Sequence, residues 1–124
     1  MLRVTRIENT GDVATEYVML KAEKDCNMGD YLLTDSTYGS DEAPSNKLRH
    51  VYFFPPKLVK AGEYVSLWTR AGSSSTGRTT NDQIVHRIFW GLKETVWNVT
   101  GDKAFLFRAP RDARSSHTVA AYKK

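Results

Sequence analysis

YFFPPKLVKAGEYVSLW, residues Tyr52–Trp68, reads as two β-strands and the corner between them. The first strand is strongly aromatic over Arg49–Phe54 and stops at Pro55-Pro56. Proline has no N–H to give a sheet ladder and fixes its φ, so the pair ends the strand in a stiff extended corner. Lys60-Ala61-Gly62 is a turn, with Gly62 at a position that suits φ > 0. Glu63–Arg70 then alternates, with Val65 and Leu67 on one face and Tyr64, Ser66 and Trp68 on the other. Period-two alternation between turn residues is the mark of a half-buried strand.

The same grammar extends in both directions. Arg3–Glu8 runs into the turn Asn9-Thr10-Gly11-Asp12, and Glu16–Ala22 sets Val18, Leu20 and Ala22 against Tyr17, Met19 and Lys21. Tyr31–Thr34 precedes a polar stretch, Asp35–Lys47, rich in Ser, Asp, Gly and Pro. Gly72–Gln83 has no large apolar residue and is read as a loop. Ile84–Trp90 and Thr95–Asn98 are apolar and β-branched or aromatic, and Thr100-Gly101-Asp102 turns the chain into Ala104–Arg108. A last run, Thr118–Tyr122, either pairs with an edge or frays. These runs amount to eight or nine short strands, spaced as in an all-β sandwich. Residues 88–99 are the one segment that imitates a helix, and Gly91 at their centre weighs against it.

The 124 residues suit one domain, and a 40% apolar share with 11% aromatics is enough for a core. A single cysteine, Cys26, excludes an internal disulfide and a Cys₂His₂ zinc site. The N-terminus has no apolar signal core, and no apolar run reaches the ~18–20 residues of a membrane span, so the default compartment is intracellular.

Motifs that carry chemistry are sparse. Gly72-Ser-Ser-Ser-Thr-Gly77-Arg78-Thr79 imitates a phosphate-binding loop, but Arg replaces the Lys and no helical pattern follows. It is read as a flexible loop. His50, His86 and His117 are scattered, and Ser73–Ser75 lack a nucleophile elbow. Asp35, Asp41 and Glu42 offer oxygen ligands without the spacing of a calcium loop, and are read as a solvated acidic loop. No catalytic constellation, metal site, cofactor or small-molecule substrate is indicated. The expectation is a non-enzymatic protein.

Five pieces of the chain, in order, resemble the immunoglobulin-like tail domain of the nuclear lamins. They are Glu16–Leu20, Met28-Gly29-Asp30-Tyr31, Phe54-Pro55-Pro56-Lys57 with Lys60-Ala61-Gly62 and Leu67-Trp68, Ala71-Gly72, and Val96-Trp97-Asn98 through Gly101-Asp102 to Ala104-Phe105-Leu106. The resemblance spans residues 4–109 and implies one immunoglobulin-fold domain over 1–124, with an ordered core at about 3–109. It implies a scaffold or interaction module that meets a protein partner or associates with itself. The chain has neither a coiled-coil rod nor a C-terminal prenylation motif, so a filament role is not expected, and a free-standing or prokaryotic-type member is the better context.

Charge adds a second expectation. Residues 1–62 carry a net −1 and residues 63–124 a net +5. Arg108, Arg111 and Arg114 lie three apart around Pro110, and Lys123 and Lys124 close the chain. Phosphate contacts need Lys and Arg with reach rather than a particular fold, so this basic segment is the candidate surface for nucleic acid such as DNA.

Overall fold

The computed structural model describes residues 1–36, 50–97 and 103–114. Among them are ten strands: β1 (Leu2–Glu8), β2 (Tyr17–Ala22), β3 (Cys26–Asn27), β4 (Tyr31–Ser36), β5 (Val51–Phe53), β6 (Leu58–Val59), β7 (Tyr64–Trp68), β8 (Ser75–Arg78), β9 (Ile84–Phe89) and β10 (Lys103–Arg108). They form a five-stranded sheet, β1-β2-β7-β9-β8, a three-stranded sheet, β10-β4-β5, and the short pair β3-β6. The fold is an all-β sandwich. Val18, Leu20, Val65, Leu67 and Ile88 from the larger sheet meet Tyr31 and Leu33 from the smaller, with Met28, Phe54, Val59 and Trp97 filling between.

Alternation places the sides as the sequence implies. Val18, Leu20 and Ala22 are buried together, as are Val65 and Leu67. All pairings are antiparallel except β7 with β9, whose parallel register sets Tyr64 beside Val85 and Trp68 beside Phe89. A parallel pair needs a crossover, and residues 69–83 supply it.

Three expectations change. The segment read as a loop, Gly72–Gln83, contains β8, which pairs antiparallel with β9 over Ser75–Arg78. Its side chains bury little, but its backbone still completes an edge. The two-residue strands β3 and β6 pair with each other and were too short to leave a pattern. Conversely, Thr95–Trp97 is not a strand, because the Val96 and Trp97 N–H groups donate to the Glu16 carboxylate at 2.9 and 3.5 Å instead of to a ladder. Asn98–Asp102 and Thr118–Tyr122 lie outside the described residues.

The corner residues act as one unit. The Asn27 side-chain oxygen accepts from the Gly29 N–H at 2.9 Å and the Lys57 N–H at 3.0 Å. This joins the Met28–Asp30 turn to the chain leaving Pro55-Pro56. A Cβ on Gly29 would stand 2.8 Å from the Pro56 Cα, so the two backbones approach more closely than any other residue permits. Gly62 adopts φ of 89°, as its turn demands.

Candidate functional site

The C-terminal arginines are divided by the fold. Arg114 donates from Nε to the Ala109 carbonyl at 2.6 Å and from Nη2 to the Gly29 carbonyl at 2.9 Å. Its guanidinium also lies 5.6 Å from the centre of the Phe53 ring. It pins the short 3₁₀ turn Arg111–Ala113 to the end of the sandwich. Arg111 is anchored through its own backbone N–H, which donates to Asp30 Oδ1 at 3.1 Å, and its side chain is exposed. Arg108 ends β10 and lines a hollow of about 310 Å³ with Asp25 and Asp30. Lys123 and Lys124 lie outside the described residues.

The two described histidines, His50 and His86, each meet a carboxylate. His50 Nδ1 lies 2.9 Å from Asp35 Oδ2, while its backbone N–H donates to Asp35 Oδ1 at 2.7 Å. Asp35 is therefore buried at the end of β4, not part of a solvated acidic loop as its neighbours in sequence suggest. Asp41, Glu42 and His117 are outside the described residues. His86 Nε2 lies 2.9 Å from Glu63 Oε1. That hydrogen bond, helped by the Lys60 backbone N–H, holds the Glu63 carboxyl below the usual range. Among the described residues, no three His, Cys, Asp or Glu side chains gather in a way that could hold a metal ion.

The phosphate-loop imitation is resolved by geometry. Gly77 and Arg78 sit inside β8, so no helix N-terminus faces an anion there.

The surface that stands out is the outer face of the three-stranded sheet. Register sets Phe107, Leu32 and Phe53 in one row, and Phe105, Thr34 and Val51 in the next. Phe53 is 59% exposed, Val51 42% and Phe107 40%. Thr34, at the middle of the second row, is buried, so the apolar patch is the Phe53–Leu32–Phe107 row with Val51 beside it. The patch is bordered by basic groups: Lys103 at the start of β10, and Arg114 over Phe53. Sequence reading missed it because Leu106 faces the core while Phe105 and Phe107 face out, so β10 looks apolar on both sides. The signal lay in the phase of Phe53 and Phe107, which becomes visible only once the strands are paired.

Neither a known protein-family profile nor a curated protein matches the chain.

Proposed function

We propose that this chain is a non-enzymatic interaction module of the lamin-tail type. It docks a protein partner on the outer face of its three-stranded sheet. The exposed row Phe53–Leu32–Phe107 carries the reading, since burying such aromatics is the main source of affinity at protein interfaces. The basic border favours a partner with an apolar surface rimmed by acidic groups. A second copy of the chain would bring like charges together, which disfavours a symmetric pairing. The motif residues Met28-Gly29-Asp30 and Phe54-Pro55-Pro56-Lys57 support the family reading, because the packing above gives each an architectural role.

The test is photo-crosslinking in cells that express the chain. A benzophenone side chain at position 107 should yield one discrete protein adduct that Phe53→Lys abolishes, while the same group at position 74 yields none. An adduct only with a second copy would replace the heterologous partner by self-association. No adduct at position 107 would remove the docking role.

A further inference from the structure

The opposite side of the sandwich carries a different surface. Tyr17 stacks on Trp68 with ring centres 4.4 Å apart, and Trp68 on Phe89 at 6.3 Å, across three adjacent strands of the larger sheet. Beside the Tyr17–Trp68 pair lies a groove of about 270 Å³. Its floor is Met19, Ser66 and Val85, all buried. Three arginines line it: Arg6 from β1, Arg78 from β8 and Arg87 from β9. The groove includes the hydroxyl-bearing Thr79 and Thr80, and among the described residues no carboxylate lines it.

The three arginines are held differently. Arg6 pairs with Glu8 at 2.9 Å and Arg78 with Asp82 at 3.4 Å, both on exposed side chains. Such solvated pairs are weak and exchange readily for a better anion. Arg87 is half-buried and makes no salt bridge among the described residues. Its guanidinium lies across Gly77, where a Cβ would overlap it. A strand with any other residue at position 77 would push the guanidinium away. Gly77 therefore determines where a positive charge sits beside the floor.

We propose that this groove binds a nucleotide unit. The planar base lies on the Met19–Val85 floor against the Tyr17–Trp68 wall, and the phosphate is taken by Arg87 with Arg6 and Arg78 flanking it. A guanidinium matches phosphate oxygens in a two-pronged geometry, and thioether and aromatic surfaces favour a flat π-system. Three lining arginines with no lining carboxylate among the described residues favour an anion, and the largely apolar floor favours one that carries a flat group. The shared ligand chemistry is a nucleoside phosphate, either free or as one unit of a single strand. This site is on the sheet opposite the apolar docking face, so either reading can fail without the other.

The test is equilibrium binding by fluorescence anisotropy and competition on the intact chain. The probes are a labelled single-stranded oligonucleotide of about ten nucleotides, adenosine monophosphate, inorganic phosphate and a phosphotyrosine peptide. Two variants move the anchor, Arg87→Met by removing the charge and Gly77→Ala by displacing it with the charge count unchanged. Each should weaken binding about tenfold while circular dichroism and melting stay as in the parent. Arg108→Met with Arg111→Met should leave the affinity as it is. Tighter binding of the oligonucleotide than of the monophosphate identifies a strand as the source, and equal affinity per site identifies the free nucleotide. The proposal falls if inorganic phosphate binds as tightly as the monophosphate, or if the phosphotyrosine peptide is preferred. It also falls if no probe binds, or if neither Arg87→Met nor Gly77→Ala changes the affinity.

Discussion

A carboxylate shut away from water must find its donors inside the protein, and Glu16 finds them on three separate segments. It is fully buried, accepts from the Thr69 hydroxyl at 2.6 Å and the Val96 N–H at 2.9 Å, and reaches the Gly11 N–H at 3.2 Å. Replacing it by Ala strands those donors in the interior, each at a cost of about 1–3 kcal/mol. Glu16→Ala should therefore lower unfolding stability by roughly 3–5 kcal/mol in urea titration, and Glu16→Gln, which keeps a carbonyl acceptor, by less. Glu63 makes a prediction in pH. Its carboxyl is depressed in the folded state, first by the His86 hydrogen bond and then by the Lys60 N–H. The unfolded chain then binds the proton more readily, so this contribution is present above the ordinary glutamate value of about 4.3 and is lost as pH falls through the lower folded value. Melting temperature should drop on acidification below that range, and Glu63→Gln should shrink the drop.

Elements are held as much by close backbone approach as by side chains. Gly29→Ala puts a methyl group 2.8 Å from the Pro56 Cα, where a backbone rather than a flexible side chain must yield. We expect a loss of about 1–3 kcal/mol by chemical denaturation, against almost none for Ala at the open position of Lys24. This scale also shows what the sequence could disclose. The strands β2 and β7 were legible from alternation, as with Val18 and Leu20 against Tyr17 and Lys21, and β9 from its β-branched and aromatic composition. β8 was not legible, since Ser75-Thr76-Gly77-Arg78 contains nothing to bury and is a strand only through its partner β9. Thr95–Trp97 had the composition of a strand, but its donors were claimed by a carboxylate some 80 residues away. Even so, Glu16 shares the phase of Val18, Leu20 and Ala22, so alternation alone puts it inside. The two candidate surfaces were harder to see. Phe53 and Phe107, or Arg6 and Arg87, become neighbours only through pairings between distant strands.

At the scale of the whole molecule, the two outer faces differ in chemistry, one apolar with a basic border and one aromatic with a groove lined by three arginines. Between them lies one shared core, and among the described residues no helix is long and apolar enough to cross a membrane. The Glu16 knot also has a consequence in time. Beside the local Gly11 N–H, its donors come from sequence separations of 53 and 80 residues, so the last of them arrives only after long loops have closed. Until then the carboxylate keeps its water, and the transition state for folding gains nothing from it. The knot acts as a latch on the way out. Glu16→Gln should leave the refolding rate within about twofold of the parent and carry its destabilisation almost wholly in faster unfolding, measured by stopped-flow tryptophan fluorescence.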